Sequence, residues 1–175
     1  FDFYSGDDFA KNKIVQFTNP KKGYKFATVT WSGFIGACSG MNEHGLTVTI
    51  NAAKSSIPTD AATPIALLAR EILQYAKTIN EAVEIAKKRN VFVSESILIG
   101  SATDNKVISI EKSPTNIDIY EIQNSNELIC PNHFQGPAYS NDYNNLINQA
   151  ESSSLYRKYR LKQLLNEDKH INYTE

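Results

Sequence analysis

The strongest nucleophilic and basic groups in this sequence are two cysteines and three histidines. Cys38 lies in Gly36-Ala37-Cys38-Ser39-Gly40, which fits G-x-C-x-G, the cysteine form of a nucleophile elbow. An elbow needs a strand before it and a helix after it, whereas a glycine turn and a strand follow Cys38. The competing reading is a small buried thiol in a glycine-rich bend. A hydrolase using Cys38 with His44 or His133 as its base is thus one hypothesis to be tested against the structure. Cys130-Pro131-Asn132-His133 gathers a thiol, an amide and an imidazole at a strand end, and Cys and His are a nucleophile and base elsewhere. Three residues apart across a proline, their side chains do not obviously converge. So few cysteines with scattered histidines make neither a disulfide framework nor a ligand motif, and no metal is expected. Arg157 is the remaining candidate, four residues before Leu161 on one helix stripe. A guanidinium aimed at a core needs partners, as a structural ion pair or as a site residue.

These groups must be positioned by elements that the spacing predicts. Asn19-Pro20-Lys21-Lys22-Gly23 separates two stretches rich in aromatic and β-branched residues, a hairpin signature. Residues 34–40 read as a bend, and Leu46 to Asn51 alternates as a half-buried strand behind a turn at Gly45. Thr63-Pro64 reads as N-cap and first position of a helix with a stripe at Ile65, Leu68, Ala69, Ile72, Leu73 and Ala76. Thr78-Ile79-Asn80-Glu81 is a capping box opening a second helix, whose stripe is Ile79, Ala82, Val83 and Ala86 and whose end carries Lys87-Lys88-Arg89. The period then returns to two. Residues 96–100 and 107–111 form a hairpin, Ile117 to Ile122 is a strand, and Leu128-Ile129-Cys130 is a strand stopped by Pro131. An Asn-rich loop follows, then a last helix from Ser152–Ser154 to about Asn166 with Leu161, Leu164 and Leu165 facing inward. The class is α+β with antiparallel sheet, in a single domain over residues 1–175.

Composition narrows the function. The chain of 175 residues is 41% hydrophobic and 21% charged, enough for a core and too apolar for intrinsic disorder. A net charge of −1 lacks the basic excess of a dedicated nucleic-acid binder. No run nears the ~20 apolar residues that span a bilayer. Cellular localisation is unknown from these residues, and a homo-oligomer is compatible with them.

A family resemblance carries the chemistry further. Ser39-Gly40-Met41-Asn42-Glu43-His44-Gly45-Leu46 through Asn51 resembles the G-M-N-E-x-G-L...N stretch of choloylglycine hydrolase and penicillin acyltransferase-like proteins, which are N-terminal nucleophile hydrolases. Phe1-Asp2-Phe3 resembles the end of their G-R-N-x-D segment, Asn132-His133-Phe134 their N-H-F, and Ser154-Leu155-Tyr156-Arg157 a Ser-x-x-Arg element, all in matching order. The resemblance implies a four-layer αββα sandwich, and hydrolysis or transfer of an acyl group from a non-peptide C–N amide. An autoprocessed N-terminal Cys would be the nucleophile, its own α-amine the base, and no cofactor is needed. Asp2 would hold the amine or thiol, Asn51 and Asn132 would donate to the oxyanion from a backbone N–H and a side-chain amide, and Arg157 would stabilise the nucleophile's charge. Phe3, Trp31, Phe34 and Phe134 would suit an acyl or sterol-like group. The matching nucleophile position falls before Phe1, and neither Cys38 nor Cys130 occupies it. The sequence is therefore expected to be the central portion of a longer amidase or acyltransferase, inactive by itself. A non-catalytic binding domain on the same fold is the alternative.

Overall fold

The computed structural model describes residues 11–57, 60–123 and 127–167; Asp2 and Phe3 lie outside them. The elements run β1 (Lys13–Thr18), β2 (Phe26–Trp31), β3 (Ser39–Asn42), β4 (Leu46–Ala52), α1 (Ile65–Tyr75), α2 (Ile79–Lys88), β5 (Glu95–Ser101), β6 (Lys106–Lys112), β7 (Ile117–Tyr120), α3 (Tyr143–Glu151) and α4 (Ser154–Glu167). All seven strands form one antiparallel sheet in sequence order, a meander interrupted by the helical pair between β4 and β5. The turns use the residues that tolerate left-handed backbone: Gly45 at φ 73° joins β3 to β4, and Asn105 at φ 47° joins β5 to β6.

Because strand side chains alternate, register decides what each face of the sheet carries. On one face Ile50, Ile97, Ile110 and Ile119 line up across four strands, beside Val48, Ile99 and Ile108. The stripes of α1 and α2 cover these rows, and the joint core is almost fully dry. Asn42 ties the sheet to the helices. Its Nδ2 donates to the carbonyls of Leu73 and Ala76 at 3.0 and 2.6 Å, which end α1 without intrahelical partners. Its Oδ1 accepts from the N–H groups of His44 and Leu46 at 3.0 and 3.1 Å, so a side chain only 3% exposed is fully satisfied.

The sequence expectations hold for both hairpins, for β4 and for the two consecutive helices. Thr78 caps α2 as expected, accepting from the Glu81 N–H at 3.3 Å, while Glu81 reaches back to the Lys77 N–H at 2.7 Å. Five details differ. α1 starts at Ile65 with Pro64 as its cap, because the Thr63 N–H is drawn to the Asn90 carbonyl at 2.9 Å. The expected bend at residues 34–40 gives way at Ser39 to β3, whose Gly40 lets Leu73 approach where a Cβ would sit 2.8 Å from its Cδ1. Leu128 to Cys130 is no strand, since its carbonyls go to side chains of Asn51 and Gln135. The Asn-rich loop contains α3, capped by Asp142 accepting from the Asn145 N–H at 2.8 Å. In α4, Leu161 and Leu164 are 44% and 42% exposed, and among its described residues Ser154 alone is buried. The four-layer expectation is met by one sheet and its helix layer; the described residues contain no second sheet.

Candidate functional site

Over β4 to β7 the second face of the sheet is largely polar, whereas over β1 to β3 it carries the exposed Val15, Phe17, Val29 and Met41. Asn51, Ser96, Glu111 and Asp118 make one row across β4 to β7, and Thr49, Leu98, Ser109 and Tyr120 make the next. The segment from Ile129 to Tyr139 lies over these rows, held by hydrogen bonds to side chains. Asn51 Nδ2 donates to the Cys130 carbonyl at 2.8 Å. Glu111 accepts from the N–H groups of Gln135 and Gly136, and Asp118 Oδ2 from that of Ala138 at 2.8 Å. Between this segment and the start of α4 lies a cavity of about 180 Å³, lined by Asn51, Cys130, Asn132, Ser154, Arg157 and Lys158 among others. Of the residues expected to act together, the structure thus brings Asn51, Asn132 and Arg157 to one cavity.

Asn132 is fixed by all its polar groups. Its backbone N–H donates to Ser154 Oγ at 2.8 Å, and its carbonyl accepts from Asn148 Nδ2 at 2.6 Å. Arg157 Nη2 donates to its Oδ1 at 2.8 Å, and its Nδ2 donates to the Ala52 carbonyl at 3.0 Å. A guanidinium can only donate and a carbonyl can only accept, so the orientation of the amide is dictated by its partners. Its NH₂ group faces the end of β4, with a second hydrogen beyond the one given to Ala52. Arg157 is exposed rather than turned into a core, contrary to the expected inward face of α4, and it also donates to Ser153 Oγ at 3.2 Å.

His133, 2% exposed, faces Ser154 through Nδ1 at 2.8 Å. Ser154 Oγ also accepts from the Asn132 N–H, so one hydroxyl ties the imidazole to the Asn132 backbone. Burial, with a smaller repulsion from Lys158, pushes its pKa down to about 4. This arrangement does not make His133 the base for Cys130, whose sulfur lies 3.9 Å from Ser109 Oγ and whose pKa burial raises. Cys38 is 4% exposed, its pKa is also raised by burial, and it leads into β3 rather than into a helix; His44 instead packs edge-on against Tyr24 at 4.4 Å. Neither thiol has the electropositive setting that activates a nucleophile. Trp31 and Phe34 pack edge to face at 6.0 Å, and Phe134, 2% exposed, stacks on Tyr139 at 4.2 Å. None of the three is among the residues that line the cavity; Trp31 and Phe34 pack against the hydrophobic core.

Sequence reasoning overlooked Glu111, Asn148 and Lys158. Glu111 did leave a signal: in Val107-Ile108-Ser109-Ile110-Glu111 the alternation sets Ser109 and Glu111 opposite the isoleucines, on a face that must be polar or covered. Its carboxyl is fully buried, and desolvation pushes its pKa up to about 7, partly offset by the N–H groups of Gly136 and Gln135. Asn148 and Lys158 had no such signal, because Asn-rich segments and surface lysines are common. No group of three His, Cys, Asp or Glu that could hold a metal occurs among the described residues. No helix among them is long and apolar enough to cross a membrane.

The chain is similar in fold or sequence to several known proteins. The N-acylethanolamine-hydrolyzing acid amidase ortholog of Caenorhabditis elegans superposes with a TM-score of 0.54 over 69% of this chain and 56% of its own, at 16% identity. Penicillin V acylase from Agrobacterium tumefaciens aligns over 62% of this chain and 38% of its own, at 23% identity and a TM-score of 0.44. Protein dcd1A of Dictyostelium discoideum is 26% identical over 102 residues, covering 58% of this chain and 23% of that protein. The chain thus spans about a quarter of its curated relative and just over half of the amidase chain. Residues 6–172 match the acyl-coenzyme A:6-aminopenicillanic acid acyl-transferase family from near one end to the other. A match of that extent places this chain in the acyl-coenzyme A:6-aminopenicillanic acid acyl-transferase family, on the N-terminal nucleophile hydrolase fold.

Proposed function

We propose that this chain supplies the oxyanion and arginine part of a cysteine amidase or acyltransferase acting on non-peptide C–N amide bonds. The nucleophile is a cysteine that precedes Phe1 in the whole protein and becomes N-terminal by autoprocessing, with its α-amine as general base. The thiolate attacks the amide carbonyl, the amine leaves carrying a proton, and the resulting thioester is cleaved by water or by an acceptor amine. Asp2 orients the amine or thiol. Asn132 offers its second Nδ2 hydrogen to the developing oxyanion, with the Asn51 backbone N–H as the other donor, and Arg157 stabilises negative charge beside them.

The observation that carries this reading is the fixed Asn132 amide. An oxyanion donor must be held before the charge develops, and Arg157 with Ala52 holds this one through both of its ends. The 180 Å³ cavity beside it leaves room for a reacting group. The test is to express the whole parent protein, read its mature N-terminus by mass spectrometry and assay N-acyl amides of several acyl and amine classes. A mature N-terminal cysteine with amide turnover abolished by its alkylation is expected. A folded parent without that cysteine, or with it and without turnover of any amide, overturns the reading in favour of a binding domain.

A further inference from the structure

We infer that Glu111 is a positioning residue for Asn132, gripping from the sheet the turn that carries this amide. The inference rests on the amidase reading above. Glu111 is 0% exposed in the middle of the polar row, between Ser96 and Asp118 in the ladder. Its Oε1 and Oε2 lie 2.8 and 2.9 Å from the Gln135 nitrogen, and Oε2 also accepts from the Gly136 N–H at 2.8 Å. Two successive backbone N–H groups therefore point at one buried carboxylate. This is a nest-like grip in which the charge is met by oriented dipoles. Gly136 is part of the device: a Cβ there would sit 2.4 Å from Asp118 Oδ2 and 3.1 Å from Glu111 Oε2.

The grip reaches Asn132 through a short, rigid stretch. His133 and Phe134 are both 2% exposed, and Asn145 closes on Phe134 from both sides, accepting from its N–H at 2.9 Å and donating to its carbonyl at 3.0 Å. With Ser154 and Asn148 fixing Asn132 on its other side, Glu111 holds the middle of the segment to the sheet, between the Asn51 contact to Cys130 and the Asp118 contact to Ala138. Glutamine at this place keeps the volume and one acceptor oxygen for the Gly136 N–H, but sets an NH₂ where Oε1 lies 2.8 Å from the Gln135 nitrogen, and that clash pushes the turn off the sheet. A displacement of about 1 Å of a catalytic donor can reduce turnover about 100-fold.

The test uses the whole parent protein, a chromogenic N-acyl anilide that the wild type hydrolyses, and titration of the reactive thiol so that rates refer to folded enzyme. The variants are E111Q, N132A and their combination, with E111D as the charge-retaining variant should E111Q not fold. The expected result is that E111Q lowers kcat about 10- to 100-fold while KM stays within about 2-fold, because ground-state binding is left intact. The combined variant is expected to be no slower than N132A alone, since Glu111 acts through Asn132. E111D should fall between wild type and E111Q. Wild-type kcat in E111Q, or in E111D if that is the variant that folds, overturns the inference, as does a combined loss equal to the product of the two single losses. A folded wild type without amide turnover is a different failure, that of the amidase reading itself.

Discussion

At the scale of single residues, the candidate site turns on Asn132 and the Ser154 hydroxyl that holds its backbone. If its amide is the oxyanion donor, Asn132→Ala in the whole protein lowers kcat by about 10²–10³ with a much smaller change in KM. Single-turnover rates normalised to reactive thiol measure this, and an unchanged rate would assign the donor elsewhere. Ser154 supports Asn132 in a way that stability reports better than rate. Its Oγ is the partner of both the Asn132 N–H and His133 Nδ1. Ser154→Ala leaves two buried groups unpaired, and the loss expected from urea unfolding is about 2–4 kcal/mol. A loss below about 0.5 kcal/mol, as for an ordinary surface substitution, would mean that both groups find other partners.

At the scale of elements, the main dependence is that of the sheet on the helix pair, and it passes through Asn42. Asn42→Ala removes the Nδ2 that donates to two carbonyls at the open end of α1 and the Oδ1 that accepts from two N–H groups in the turn entering β4. The expected loss in urea unfolding is about 3–5 kcal/mol with an unchanged m-value, placing it among the large single-residue effects. A loss of under about 1 kcal/mol would show that packing alone joins β3 to α1. Asn42 belongs to the Gly-Met-Asn-Glu string, so part of what looked like a functional signature is a structural bolt. The elements that were legible in sequence are those whose burial is local and periodic: β4 with Val48 and Ile50 inside, and α1 and α2 with their aliphatic stripes. What was illegible is held by side-chain hydrogen bonds between distant segments. α3 buries Asn145 and Asn148 rather than an apolar stripe, so its residues read as a loop. α4 misled in the opposite sense, because its leucines repeat at helical spacing while α4 lies largely exposed. Of the candidate site, the sequence pointed to three residues that the structure gathers at one cavity. Asn51, Asn132 and Arg157 followed from motif order, whereas Glu111 required knowing which segment covers the polar face.

At the scale of the whole molecule, the buried titratable groups on the two faces work against one another as pH changes. The pKa of Glu111 is raised to about 7 by burial, and so is that of Glu95 at the start of β5. A carboxyl whose folded pKa exceeds its unfolded value binds its proton more tightly when folded, so these two add stability as pH falls from about 7 to 4.5. His133 has the opposite sign. Its pKa is depressed from 6.5 to about 4, the folded state resists protonation, and stability is lost as pH falls through that interval. Asp104 and Glu121 are held below the usual carboxylate range, the first mainly by the Ile79 N–H and the second mainly by Lys106, and they lose their contribution at still lower pH. The wild-type stability profile between pH 7 and 4.5 is therefore flattened by cancellation. Replacing His133 by Gln, whose amide offers Ser154 both a donor and an acceptor, removes the opposing group and leaves the carboxyls. The variant is expected to gain stability on acidification from pH 7 to 4.5, on the order of 1–3 kcal/mol, relative to the change in the wild type over the same range. Urea midpoints taken every half pH unit for both proteins decide the matter: parallel profiles would show that His133 takes up its proton in the folded state as readily as in the unfolded chain.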